Sequence, residues 1–453
     1  MRRSTQPPII RFSEQPASAA AVAASVARDA RYQFILGALA VLAVSYNGLL
    51  AMAGAFGLPI SATSVLIIEP LILGAALLAI LRVSFTRDDL PSLLLAFAFL
   101  AITIYLSAIN EVFFPDTMRN MAIIALFTML GLRAKLSTVN MAVLITTLLT
   151  AIVLVIEVAD TPLYVQLFQP AQYFFKTRGL EIPDWDKSGL FGNALGFKER
   201  FSFGLTAHRT SSIFLEQVSM ANFAAFLTVY LMSLWPKLAT WRRIFFIVVI
   251  VAVLVTNNTR TSLILAVIAP AGYFLYPRMP RYLNVTIAPL LIFVAWFIEN
   301  PNRPYADDFA GRLSLTIRTL MKLDLEGALG QKIMESYAFV DSGYPYFIYA
   351  ATLPGLILLW MFISFYLPQR TAAQKRFAYA SGLFIACSLV VAGTSIFTIK
   401  VASMLWFLAG FMRTQRDERD ESEDAEPIEA EPIQTASPRP FTPRRPAIAG
   451  MLR

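Results

Sequence analysis

Cysteine and histidine occur once each in the 453 residues, as Cys387 and His208, and charged residues make up only 15%. A single cysteine, set inside an apolar run, excludes a disulfide framework within the chain. One histidine beside one cysteine excludes a His/Cys metal site built by one chain, so no metal held in that way is expected. A soluble protein keeps about a quarter of its residues charged. The shortage here excludes a soluble domain that merely carries an anchor.

What the chain has instead is apolar sequence, 57% of all residues. Apolar runs fall at about 33–53, 60–81, 90–109, 119–132, 139–159, 218–235, 243–257, 261–277, 282–299, 343–367, 377–394 and 396–412. A helix that crosses a bilayer needs about 20 mostly apolar residues. The fourth and seventh runs are short and draw on their flanks for that length. These runs predict an all-α fold, a polytopic membrane bundle of about 12 transmembrane helices.

The net charge is +8, and its placement carries the information. With the N-terminus inside, the even-numbered connections hold Arg82 and Arg87, Arg133 and Lys135, Lys237, Arg242 and Arg243, Arg278 and Arg281, and Arg370, Lys375 and Arg376. Arg413, Arg416 and Arg419 follow the last run. Cytoplasmic connections are the basic ones, so both termini are expected to be cytoplasmic. Because the basic residues alternate with spans and form no single patch, nucleic acid is not an expected partner.

Three regions follow. Residues 1–32, with Arg2, Arg3, Arg11, Arg28 and Arg31, read as a retained cytoplasmic arm, because no short apolar segment with a cleavage site follows them. Residues 33–412 form the membrane domain. Residues 413–453 turn acidic, then rich in proline and arginine, a composition that predicts disorder.

Two connections are long, about 160–217 and 300–342, and both fall on the outer side. Long loops in compact proteins are usually functional. Both are basic against the topological rule, through Lys176, Arg178, Arg200 and Arg209 in the first and Arg312, Arg318, Lys322 and Lys332 in the second. Either long loops escape the rule, or an anionic ligand sits at the outer membrane face.

Four stretches carry candidate chemistry. In His208-Arg209-Thr210-Ser211-Ser212-Ile213-Phe214-Leu215-Glu216, a helical conformation places Arg209, Ser212 and Glu216 on one face; the simpler reading is an interfacial salt bridge. Gly311-Arg312-Leu313-Ser314-Leu315-Thr316-Ile317-Arg318 leads to Asp341-Ser342-Gly343-Tyr344. There Arg318 fits a solvated face with Lys322 and Glu326, whereas Arg312 stands outside that pattern. Arg260, in the turn Asn257-Asn258-Thr259-Arg260-Thr261-Ser262, either joins an outer vestibule or snorkels to lipid phosphates. Glu69 lies inside the second run, where a carboxylate marks a functional or paired site; an interhelical hydrogen bond suffices to explain it. Asp307-Asp308 is an adjacent acidic pair and not a metal-diphosphate motif.

On these stretches the chain resembles the O-antigen polymerase and O-antigen ligase superfamily, in particular polymerases of exopolysaccharide export. The likeness lies in the Arg, small residues, Phe and acid of 208–216, in Thr259-Arg260-Thr261-Ser262, in Gly311-Arg312, and in Asp341-Ser342-Gly343-Tyr344. It covers roughly 200–360, with a compatible span count on both sides. The resemblance implies a GT-C-like fold in the bacterial inner membrane. It implies transfer of a glycan from a polyprenyl-pyrophosphate carrier to a sugar hydroxyl, independent of nucleotide and metal. Glu216 is then the candidate base, with Asp341 second. Arg209, Arg260 and Arg312 are the candidate cations, and His208, Arg318 and Tyr344 further substrate contacts. Implied partners are the lipid-linked oligosaccharide, membrane lipid, a chain-length regulator and export proteins. Ligases of the superfamily place a histidine in the second large outer loop, and 300–342 has none, which favours the polymerase. A transporter or flippase also fits twelve spans. Its usual long cytoplasmic link after the sixth span is here only about 236–242, and 82–89 lacks the Gly- and Arg-rich signature.

Overall fold

A computed structural model describes residues 19–195, 205–300, 309–391 and 393–415. Every regular element among them is helical. In chain order the α-helices are α1 (Ala19–Ala55), α2 (Ala62–Leu81), α3 (Leu90–Ile109), α4 (Asp116–Leu132), α5 (Leu136–Ala159), α6 (Thr161–Phe168), α7 (Pro170–Arg178), α8 (Gln217–Leu234) and α9 (Thr240–Asn257). They continue with α10 (Arg260–Leu275), α11 (Ile287–Ile298), α12 (Phe309–Met321), α13 (Leu325–Ala328), α14 (Gly343–Ala351), α15 (Leu353–Phe365), α16 (Ala372–Val391) and α17 (Ile399–Thr414). Seven helices are long and apolar enough to cross a membrane, and α14 with α15 forms a bent eighth candidate. The protein is an all-helical membrane protein. The remaining apolar runs are helical too, as α4, α10, α16 and α17.

Two features depart from a simple reading of the runs. The arm predicted for residues 1–32 is helical from Ala19 onward, continuous with α1. The run 343–367 is broken by a 116° bend between α14 and α15. Thr352 sits at φ +69° at the break, and its side chain accepts the Gly355 N–H at 3.1 Å. Pro354 adds a residue with no N–H for the preceding turn, so the chain starts a new helix in a new direction. The tail beyond Gln415 and the pair Asp307-Asp308 lie outside the described residues.

Alternate connections meet at one end of the bundle. Arg133 binds Asp89 at 2.6 Å, Lys135 binds Asp29 at 2.6 Å, and Arg413 binds Asp88 at 2.9 Å. Lys237 reaches Gln415 at 2.8 Å, and Lys375 donates to the Pro277 carbonyl at 3.0 Å. The basic connections are thus neighbours in space, as helices that alternate in direction require.

The centre of the bundle is α8, α16, α17 and α4. Nearly every residue of α8 is buried, polar Gln217, Ser219, Asn222, Thr228 and Ser233 included. The peripheral helices α2, α3 and α11 turn leucine, isoleucine and phenylalanine outward, which suits a lipid environment. Helices α4 and α17 pack most closely. A Cβ at Gly131 would overlap the Phe407 carbonyl, and one at Gly410 would overlap the Thr128 carbonyl. Small residues let two membrane helices approach backbone to backbone, where dispersion is strongest.

Candidate functional site

The segment before α8 is held rather than helical. Ser212–Phe214 is a single 3-10 turn, and Ser212 and Leu215 stand at φ +50° and +61°. Such conformations cost about 1–3 kcal/mol each for non-glycine residues and persist only where neighbours enforce them. The neighbours are present. Fully buried Glu157 of α5 accepts the Ser211 N–H at 3.0 Å and the Ser212 N–H at 2.6 Å. The Ser212 hydroxyl donates to the Thr150 carbonyl at 2.7 Å, and Asn257 Nδ2 donates to the carbonyls of Thr210 and Gln217 at 2.6 and 2.8 Å.

This backbone separates residues that a helix would have aligned. Arg209, Ser212 and Glu216 do not share a helical face. The Arg209 guanidinium is buried against the turn between α9 and α10, donating to the Asn257 carbonyl and the Thr259 hydroxyl, both at 3.1 Å. His208 lies 3.4 Å from Glu157. Glu216, by contrast, takes the N-cap position of α8 and faces a cavity.

That cavity is about 380 Å³ and lies at the end of the bundle away from the Arg133–Asp89 pair. Both long connections reach it, the first through Arg178 and Glu216, the second through Arg312 and Asp341. Three apolar helices, α2, α4 and α17, add Glu69, Arg119 and Lys400. Glu216 Oε2 lies 3.0 Å from Lys400 Nζ and accepts the Ser219 hydroxyl at 2.8 Å, while Oε1 is 3.6 Å from Arg178. Arg178 also stacks on Phe174, with 4.8 Å to the ring centre. Glu69 accepts Arg119 as a two-toothed pair, both bonds at 2.7 Å, and lies 3.5 Å from the Tyr46 hydroxyl. Arg312 donates to the Val391 carbonyl at 3.4 Å. Asp341 is exposed at the rim and, among the described residues, makes no ion pair.

Burial by itself raises a carboxyl pKa, but Lys400 and Arg178, with the hydrogen bonds from Lys400 and Ser219, outweigh it and hold Glu216 down to about 2. Glu216 is therefore anionic at neutral pH. It is also a feeble proton acceptor, since a general base works best with a pKa near the working pH.

Of the residues singled out from the sequence, Glu216, Arg312 and Asp341 share this cavity. Arg209 and His208 do not line it; they brace the segment beside it. Tyr344 is buried inside α14. Arg318 binds Glu299 at 2.8 Å and the Asn300 carbonyl at 2.7 Å, and so ties α12 to the end of α11. Arg260 opens α10, and its side chain lies outside the described residues. Lys400, Arg119 and Glu157 were not anticipated. Lys400 had a signal: it is the only basic residue between Arg376 and Arg413, and an ion inside an apolar run marks a paired or functional site.

No protein-family model, no curated protein and no solved structure matches this chain. What stands is the class: an all-helical membrane protein with an ionised cavity at one end of its bundle.

Proposed function

We propose that this protein is a glycosyltransferase that polymerises polyprenyl-pyrophosphate-linked oligosaccharide units at the outer face of the bacterial inner membrane. In this reading all twelve apolar runs traverse the membrane in a GT-C-like arrangement, both termini are cytoplasmic, and the product serves exopolysaccharide or O-antigen assembly. The observation that carries it is the cavity, where four cations and three carboxylates from both long connections and three apolar helices surround one space. A diphosphate leaving group needs fixed cations, and guanidinium groups bind phosphate oxygens in a bidentate fork. One well-placed donor to developing charge is worth about 3 kcal/mol.

The geometry of the cavity supports the following roles. Arg312, Arg178 and Lys400 hold the pyrophosphate, and Glu216 keeps Arg178 and Lys400 aimed into the cavity. Glu216 is already engaged by Lys400, Arg178 and the Ser219 hydroxyl, whereas Asp341 is exposed at the rim, which favours Asp341 as the base. The bond between the sugar and the pyrophosphate breaks, its electron pair leaving with the phosphate. The acceptor oxygen forms the new glycosidic bond, and its proton passes to the Asp341 carboxylate. A chain-length regulator and export proteins are the expected partners.

A transporter reading draws on the Glu69–Arg119 pair, two ions facing each other between apolar helices. Lipid-linked oligosaccharides from cells carrying Arg312→Lys or Asp341→Asn separate the two. Accumulation of single repeat units in the outer leaflet, with polymer lost, is the expected result. Substrate stranded in the inner leaflet points to transport, and polymer of normal length in both variants ends the transferase reading.

A further inference from the structure

At the basic end of the bundle, remote from the ionised cavity, α8, α9 and α10 enclose an apolar groove of about 480 Å³. Its floor is α8, through Leu231 and Met232. Its lips are Val251 and Phe274, 52% and 66% exposed, so the groove opens sideways to where acyl chains lie. Trp235 and Tyr273 also line it, near the C-terminal ends of α8 and α10.

Each of these two aromatic residues carries a guanidinium. Arg243 stands over the Trp235 ring with 5.0 Å to its centre, and Arg376 over Tyr273 with 3.7 Å. Arg243 donates to the Leu238 carbonyl at 2.8 Å and to the Pro236 carbonyl at 3.5 Å, and Arg376 to the Tyr273 carbonyl at 2.9 Å. A guanidinium has five N–H donors, so among the described residues both keep donors in reserve. An apolar slot lined at one end by two aromatic rings that each carry a cation matches a molecule with a long hydrocarbon chain and an anionic phosphate at one end.

We propose that this groove is a binding site for one anionic phospholipid, its acyl chain along α8 and its phosphate diester between Arg243 and Arg376. A zwitterionic lipid brings its own ammonium to that position and loses most of the attraction. Cations near a membrane surface each favour an anionic lipid by about fivefold, so two predict a preference of roughly 30-fold.

The test uses the full-length protein in detergent, with native mass spectrometry of the folded fraction and thermal unfolding as readouts. Phosphatidylglycerol and phosphatidylcholine with identical chains are titrated separately. The wild type is expected to retain one phosphatidylglycerol with the roughly 30-fold preference. Arg243→Gln with Arg376→Gln, which keeps hydrogen-bonding side chains, brings phosphatidylglycerol down to the phosphatidylcholine level. Ala269→Phe, which fills the groove and leaves both arginines, weakens both lipids alike. Equal affinity of the wild type for the two lipids overturns the proposal, as does a preference that survives the double glutamine variant.

Discussion

The two ends of this bundle place ions in opposite ways. At one end the Arg133 guanidinium and the Asp89 carboxylate are both buried and close on each other at 2.6 Å. At the other end Glu216 faces two cations at 3.0 and 3.6 Å and leaves space beside them. Burying a charge is costly unless it is paired. A closed pair meets that demand and holds helices together. An open cluster meets it only partly, which is the condition for receiving a charge from outside. Burial of ions alone does not separate structure from function here; what separates them is whether the charges match one to one.

The largest effect should come from breaking the closed end. Asp89→Ala leaves Arg133 buried without its carboxylate, and the expected loss is about 3–5 kcal/mol, measured by unfolding in detergent. Pyrophosphate binding per folded molecule should be unchanged. A loss below about 1 kcal/mol would mean that the pair is ornamental and the contrast false.

At the open end Lys400→Met should destabilise less, by about 2 kcal/mol, because Arg178 still faces Glu216. Pyrophosphate affinity should fall about tenfold with the loss of one charge-assisted contact. This variant also has a pH signature. The folded-state pKa of Glu216 is depressed, so its contribution is fully present above the ordinary carboxylate range and is lost as pH falls toward about 2. The wild type should lose stability across that acid window, and Lys400→Met should show a shallower loss. Identical acid profiles would place the coupling elsewhere.

Glu157 offers a finer comparison, because it holds the segment that leads to Glu216 through the N–H groups of Ser211 and Ser212. Glu157→Gln turns an amide toward the Ser211 and Ser212 N–H groups and should cost about 1–3 kcal/mol. Its effect on pyrophosphate affinity should vanish in a Glu216→Gln background, since the segment acts by placing Glu216. Additive losses in affinity would show an independent role. The smallest effect belongs to the exposed pair at the closed end: Lys135→Ala removes the contact to Asp29 and should change stability by less than about 1 kcal/mol.

Much of the site was present in the sequence as stretches without partners. Glu216 and Asp341 stood out through the resemblance of 208–216 and 341–344 to the superfamily, and Arg312 as positive charge in an outer loop, outside the helical pattern of Arg318. Arg209 stood out on both grounds, yet it turned into the α9–α10 turn, because two left-handed residues and the Glu157 hydrogen bonds override helical spacing between Arg209 and Glu216. Glu69 was visible as an ion in a span, but its partner Arg119 was hidden at the margin of a short run.

The sequence by itself determined that the chain is helical and built for a membrane, and which connections share an end. Those properties follow from composition and from charge placed between apolar runs, and both are local. Only the tertiary structure decided that Glu216 meets Lys400 across 184 positions of sequence, and that Arg119 closes on Glu69 across 50. A helix fixes which of its own residues share a face. Which face meets which neighbour depends on how closely whole helices pack, and here that was set by contacts such as Gly131 and Gly410 against the backbone of α17 and α4.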